Sequence, residues 1–340
     1  YQCQELAIWI QKICLHNVGF FIKHQYETPS PISFPPLLNL QSDIDRIEAA
    51  EDRDVGEYAA QNWNEFSIYL GGESKFPNLH KQIPYPVDDS SILPFYDLQA
   101  FLSSSDNSYL NTINIIGNPF SYPYKAELMD LLYSIPVKKN FYLTASTACR
   151  FIKEIQQIDL PNYELYIYYE QEEASIHHIL TEKQIPFHWI YLISSEKQYE
   201  DLEKLETKYG NEYVEVHPIY TGDNLPFFEE NVYLAEEDIL QSNYDKQDIF
   251  AHQVMNTNFW GRLSVLPDGK VYSNLNHPPL GTLKDRVYDL IVDEMTSKRA
   301  WRWIRDEVSP CKDCLFRYLC PSPSNYELVI GKPNLCHVKP

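Results

Sequence analysis

Four cysteines near the carboxyl end carry the strongest chemical signal in this sequence. Cys311-Lys-Asp-Cys314 runs into Leu-Phe-Arg-Tyr-Leu-Cys320, and Cys336 follows after a further loop. C-x2-C spacing lets two thiolates face one point, and a third and fourth from the next loops complete a tetrahedron. Soft metal centres need that geometry, zinc and iron–sulfur clusters alike. A disulfide framework would use the same residues, but context weighs against it. No charged start, apolar run and small-residue cleavage site open the chain, so no secretion signal is visible. Cys3, Cys14 and Cys149 are scattered singly, as buried thiols in a reducing compartment are. The expectation is a metal or cluster site at Cys311, Cys314, Cys320 and Cys336 in a cytoplasmic protein.

Other candidate groups are weaker. His177 and His178 are adjacent, so on a helix they point to different faces, and they read as surface histidines. His252 and His277 flank a hairpin and could approach the cysteine tail, and His337 could replace one thiolate. Glu172-Glu173 and Glu229-Glu230 read as solvated faces. Cys149, on a helix among apolar neighbours, reads as a core residue. No G-x-S-x-G, H-E-x-x-H or phosphate-binding G-x4-G-K-[ST] is present.

Composition narrows the partners. The 48 acidic residues outnumber 28 basic ones, giving a net charge of −20 that a phosphate backbone would repel, so no nucleic-acid partner is expected. No apolar run is long enough for a membrane span. With 340 residues and 44% hydrophobic content the chain can bury a sizeable core, and its length favours two domains. The 26 Tyr, 16 Phe and 6 Trp point to strands rather than a helical bundle.

These cysteines must be positioned by what precedes them. Leu6–Ile13 reads as a helix, Val18–Lys23 as a strand, Pro29–Pro36 as a linker and Asp43–Ala50 as a helix. From Trp63, strands and helices alternate. Strands are expected at Glu65–Leu70, Thr112–Ile116, Asn140–Thr144, Glu164–Tyr169, His188–Ile193 and Tyr213–Ile219. Helices are expected at Pro94–Leu102, Lys125–Tyr133, Thr147–Ile158, Ala174–Glu182 and Tyr199–Tyr209. Such alternation predicts parallel βαβ units, in either a doubly wound sheet or an incomplete barrel. No glycine-rich dinucleotide fingerprint follows the first strand. After an acidic bridging segment, Gly261–Ser273 reads as a hairpin turning at Pro267-Asp-Gly269, and Asp285–Asp306 as a helix. The expected division is residues 1–60, an N-terminal remnant and linker; 61–222, the βα region; 223–245, a bridge; and 246–340, the cysteine domain.

Leu263-Ser-Val-Leu-Pro-Asp-Gly-Lys-Val-Tyr-Ser-Asn274, then Leu280-Gly-Thr-Leu-Lys-Asp285, then C-x2-C-x5-C and a last cysteine resemble the SPASM domain. That domain is the auxiliary-cluster extension of many radical SAM peptide-modifying enzymes. The resemblance implies an α/β fold: a partial (β/α)6 radical-SAM-like barrel, followed by a small cysteine-ligated SPASM-type domain. It covers roughly residues 63–340. Ile116-Gly-Asn-Pro119 falls where those enzymes carry a Gly-Gly-Glu-Pro-like motif, with Asn118 in the acidic place that would bind the SAM amino group.

The chain also departs from the pattern. The loop Gly71–Pro84 holds no C-x3-C-x2-C, and Ser74, His80 and Lys81 cannot substitute for thiolates on a soft iron. Asn274 stands where a first auxiliary cluster would take a cysteine, and no cysteine follows four residues after Cys320. Only the second cluster's ligands remain, all four of them thiolates, so no position is open for substrate. The chain is therefore similar to the pseudo-radical-SAM SPASM proteins of Bacteroidales-type peptide systems, with double-glycine leaders or ATP-grasp ligases. The resemblance implies a degenerate, non-catalytic barrel, no SAM and one [4Fe-4S] cluster, with Zn2+ as the alternative. It implies a precursor peptide with a leader as partner, or an ATP-grasp ligase or other maturation enzyme. The N-terminal remnant would belong to a leader-binding module. Two rival functions remain: an electron-transfer maturase using the cluster, and a zinc-clamped interaction protein.

Overall fold

Side chains along each strand alternate between an apolar face and a polar or tyrosine-rich face, and this period of two sets the layers of the fold. The computed structural model describes residues 62–338 other than 73, 105–108, 170–173, 211–213 and 298. The elements expected before residue 62 and the Glu172-Glu173 pair lie outside the described residues.

In chain order come β1 (Glu65–Tyr69), α1 (Phe95–Ser103), β2 (Thr112–Ile116), α2 (Lys125–Ser134) and β3 (Lys138–Thr144). Next are α3 (Ala145–Arg150), α4 (Ile152–Ile155), β4 (Tyr163–Tyr168), α5 (Ala174–Glu182) and β5 (Phe187–Ile193). Then α6 (Glu196–Tyr209), β6 (Val214–Pro218), α7 (Leu225–Asn231), α8 (Glu236–Gln241) and α9 (Lys246–Val254) follow. The chain closes with β7 (Arg262–Val265), β8 (Lys270–Tyr272), β9 (Gly281–Thr282), α10 (Val287–Ser297) and α11 (Asn325–Ile330).

The strands form one mixed sheet in the order β6-β5-β4-β3-β2-β1-β7-β8-β9. The first seven in that order run parallel, and the β7–β8–β9 pairings are antiparallel. From β1 to β6 every crossover steps one strand in the same direction, with no reversal point, which removes the doubly wound option. Right-handed crossovers that all step one way put their helices on one face. Accordingly Phe66, Ile68, Ile113, Ile115, Phe141, Leu143, Leu165, Ile167, Phe187 and Trp189 share one buried cluster with Leu98, Phe101, Leu128, Leu132, Ile176 and Leu180. Each such side chain contributes about 1.5–3 kcal/mol over the exposed state.

The opposite face is polar at its amino-terminal end. Asn140 donates to Asn114 (3.0 Å), Asn114 donates to Ser67 and Glu65 (3.1 and 2.8 Å), and Arg262 pairs with Glu65 at 3.3 Å. Further along, Tyr142 stacks on Tyr166 and Tyr166 on His188, at 4.9 and 5.0 Å. At the carboxyl ends the chain covers this face itself. Leu79, Ile83 and Tyr85 pack with Tyr168, Ile190 and Ile219, Val87 packs with Tyr69 and Ile116, and the Tyr168 hydroxyl donates to the Pro84 carbonyl.

Two expected helices are shorter than the sequence implies. The Thr147–Ile158 segment starts early, because Thr144 Oγ1 accepts from Thr147 N (3.2 Å), and it breaks at Phe151 into α3 and α4. The Asp285–Asp306 helix is corrected to α10 alone. Glu294 on α10 accepts from the backbone N–H groups of Ala300 and Trp301 (2.7 and 2.8 Å) and from Ser273 Oγ (2.6 Å). A side chain thereby takes the place of helical carbonyls, and the chain can leave the helix with its donors satisfied.

Burial raises the Glu294 pKa against the pull of Ser273 and the two amides. The folded form therefore holds a proton above the ordinary carboxylate range, and stability declines as pH rises from the ordinary value toward the raised one. In urea unfolding, Glu294→Gln should flatten that slope. Glu294→Ala should cost about 2–4 kcal/mol by stranding buried donors. A Gln variant with an unchanged pH slope would contradict this role.

Candidate metal centre

Three cysteines of the tail are presented by short, locally closed turns and the fourth by a β-bridge. Cys311 begins the 3-10 turn Cys311–Asp313, and Cys314 N donates to Cys311 O at 2.9 Å, which turns both C-x2-C side chains the same way. Cys320 N donates to Phe316 O (3.0 Å), while Cys336 forms an isolated parallel bridge with Leu234. All four side chains line one cavity of about 20 Å³ together with Arg305, Arg317 and Asn334. All are free thiols, with Cys311 and Cys314 buried.

Burial pushes the Cys311 thiol up, and Cys336 and Cys314 add to the rise while Arg305 opposes it. Burial pushes Cys320 up to about 12, Arg305 again opposing, with Cys314, Cys336 and Cys311 adding to the rise. A positive inorganic core would offset the charge of these thiolates and favour their ionised form. The donor set therefore fits a soft, sulfur-preferring group. Room for one ion is consistent with the cavity's volume. Among the described residues, however, no three His, Cys, Asp or Glu side chains close on a single ion position. A cluster spreads its thiolates over several irons and does not require them to meet at one point.

The surrounding groups are themselves well held. Arg305 is buried and bonded to Glu327 at 2.7 Å. Arg317 pairs with Asp306 at 2.6 Å and donates to Cys314 O at 3.2 Å. Asn334 Nδ2 donates to Cys336 Sγ at 3.2 Å. His252 is buried and its Nδ1 lies 2.9 Å from Tyr318 O, so it reaches the tail through that carbonyl. The His337 ring meets the Glu229 carbonyl at 2.7 Å, so it is engaged away from the cavity. His177 is half-buried and accepts from the Trp189 indole at 3.3 Å, which corrects its reading as a surface histidine, while His178 is exposed. Cys149 is exposed on α3, which corrects its reading as a core residue.

The place where the resemblance would put another cysteine is filled by amides. Asn274 is buried and donates to Asn325 Oδ1 at 2.8 Å. Asn276 donates to the same oxygen and to Lys81 O (3.1 and 2.8 Å), and Asn325 Nδ2 donates to Gln82 O at 3.2 Å. Gln82 in turn exchanges two 2.8 Å bonds with the backbone of Tyr220. This network binds α11 to the loop that covers the inner sheet face. Spacing gave no hint of it; the cluster of Asn274, Asn276 and Asn325 was the available signal.

A second cavity, about 570 Å³, opens at the carboxyl ends of β1, β2 and β3. It is lined by Gly71, Gly117, Asn118, Ser121, Thr147 and Arg150 among others, and parallel sheets bind ligands at this end. Gly117 permits the close approach there: a Cβ on it would lie 2.4 Å from Gly71 O. Asn118 Oδ1 caps the next turn by accepting from Phe120 N and Ser121 N (3.1 and 3.2 Å). His80, in the loop beyond β1, is held at a pKa of about 4 by burial and by Lys81.

No family model matches this chain, and no curated protein matches it. Among solved structures, Streptococcus suis SuiB bound to precursor peptide SuiA is 12% identical, with 98% of this chain and 87% of that one covered at a TM-score of 0.48. The same SuiB bound to S-adenosylmethionine is 10% identical, with 97% and 85% covered at 0.45. Histidine-tagged anSMEcpe with bound AdoMet is 12% identical, with 76% and 84% covered at 0.47. Likeness of that degree concerns overall shape, and the chemistry of the site is read from this chain's own residues.

In metal-free protein at pH 8, iodoacetamide should label exposed Cys149 well before Cys320, whose thiol is held neutral. Timed alkylation with peptide mass spectrometry reads the order; equal rates would contradict the described thiol environment.

Proposed function

We propose that this chain is a non-catalytic, pseudo-radical-SAM SPASM protein that acts as a scaffold in the maturation of a ribosomally made peptide. Cys311, Cys314, Cys320 and Cys336 hold one [4Fe-4S] cluster. The degenerate partial (β/α) barrel at 61–222 offers its carboxyl-end cavity to a leader-bearing precursor peptide or to a partner such as an ATP-grasp ligase, and residues 246–340 act as the SPASM-type unit. The observation that carries this reading is the convergence of four thiols on one cavity beside a sheet whose first-strand loop has no cysteine. That loop also folds Leu79, Ile83 and Tyr85 across the inner face. With no thiolates there and Asn118 in the acidic place, SAM has neither an iron nor an ion-pairing partner.

A zinc clamp is the second reading, favoured by the small volume of the thiol cavity. Anaerobic reconstitution of the full chain with iron and sulfide separates the two. The proposal expects a brown protein with broad absorbance that Cys314→Ser abolishes, and no 5′-deoxyadenosine from SAM under reduction. A colourless protein holding one zinc per chain would select the clamp, and reductive SAM cleavage would overturn the non-catalytic role. Fluorescence anisotropy with peptides encoded beside the gene should find saturable binding that survives in Cys314→Ser only where folding survives.

A further inference from the structure

On the reading that the four thiols hold an inorganic centre, Arg305 stands beside it as a buried cation. Arg305 is 8% exposed and spends its donors on the segments that carry the ligands. Its Nη1 lies 3.9 Å from Cys311 Sγ and 3.4 Å from the carbonyl of Pro333, three residues before Cys336. Its Nε donates at 3.1 Å to the carbonyl of Pro321, which directly follows Cys320. Its Nη2 donates at 2.7 Å to Glu327 Oε1. Glu327 is itself oriented from its other oxygen, which accepts from Ser324 N at 2.8 Å and from Ser324 Oγ. The first of these contacts is one half of the capping box of α11, whose other half is the Ser324 side chain accepting from the backbone of Glu327.

A guanidinium offers five donors in a fixed plane and keeps its charge at any relevant pH. One such group therefore ties three of the four ligand segments into a single frame. Four thiolates around a zinc ion or a cluster leave the centre with net negative charge, and the buried cation stands where it offsets that charge. Structural stability alone gives weak reason for burying such a pair, since an apolar replacement is often as stable.

We infer that Arg305 is a positioning residue of the centre: it sets the spacing of the Cys311, Cys320 and Cys336 segments and holds a permanent positive charge against their sulfurs. Groups around a metal's ligands typically matter by tenfold to a hundredfold in affinity. Hydrogen bonds to the sulfurs and local charge are among the factors that set a cluster's reduction potential.

The test uses the full chain and zinc in competition with a chromophoric chelator. In Arg305→Gln/Glu327→Gln the charges go while the amides can still bond one another and Ser324. Its zinc affinity should fall about tenfold to a hundredfold, with cooperative unfolding of the metal-free form retained. In the iron-loaded form its potential should move to a more negative value. Arg305→Lys keeps the charge and loses the planar fork, and should fall between this variant and wild type. Zinc affinity within about twofold of wild type in the doubly neutral variant would overturn the inference, as would an unchanged potential. If that variant does not fold, Arg305→Lys decides, and an affinity equal to wild type overturns the inference. Wild-type protein that binds neither zinc nor iron would overturn the four-thiol reading itself.

Discussion

Parallel pairing of β7 with β1 is the constraint on which the rest of the molecule depends. Glu65 to Ile68 run in register against Arg262 to Val265, so the strand that opens the cysteine region is also the seventh parallel strand of the sheet. Gly261 makes the entry possible. Its carbonyl accepts from both Asn64 N and Glu65 N, and a Cβ there would lie 2.5 Å from Asn62 O. Because β7 is fixed, Trp301 can donate its indole N–H to Arg262 O (3.0 Å), and Asn256 N can donate to Trp301 O (2.7 Å). Asn256 and Asn258 then hold the Pro323 carbonyl, and Thr257 N meets Ser322 Oγ at 3.0 Å. The segment after Cys320 is thus hung from β7 by backbone-directed amides.

The carboxyl ends of the strands are covered unevenly across the sheet. At the carboxyl ends of β4–β6 the inner face is closed by Leu79, Ile83 and Tyr85, by tyrosines and by the Asn274–Asn325–Gln82 amides, while Val87 packs on Tyr69 and Ile116 at the ends of β1 and β2. Beside it, at β1–β3, a cavity remains open. Tyr326 on α11 donates to Pro218 O at the end of β6 (2.7 Å), so the helix capped by Glu327 touches both the sheet and, through Arg305, the thiols. Through Arg305, Glu327 and Tyr326 the four-thiol cavity is thus linked to the carboxyl end of β6. Among the described residues no helix is long and apolar enough to cross a membrane.

Much of the sheet was legible in the sequence because β-branched and aromatic residues recur at period two, bounded by Pro, Gly and Asn. All six strands of the βα region were expected within two residues of where they lie, and the Pro267-Asp-Gly269 turn was read directly. What was not legible depended on contacts distant in sequence. The Asp285–Asp306 segment has helical composition, yet the helix ends at Ser297, with the N–H groups of Ala300 and Trp301 bonded back to Glu294. Nothing local to Cys149 tells that its side of α3 faces solvent. The gathering of Cys336 with the C-x2-C pair required Leu234, far upstream in the chain, as a bridge partner. The choice between doubly wound sheet and singly wound order needed the strand pairing itself, since both share one alternation of elements.

Cys311, Cys314, Cys320 and Cys336 stand or fall as the ligands of one centre, and X-ray absorption at the metal edge of protein loaded under reducing conditions tests that most directly. Four sulfur neighbours at about 2.3 Å, and no lighter atom in the nearest shell, are expected for iron or zinc. A shell containing nitrogen or oxygen in two or more positions, or a chain that retains no metal with its thiols intact, would contradict it.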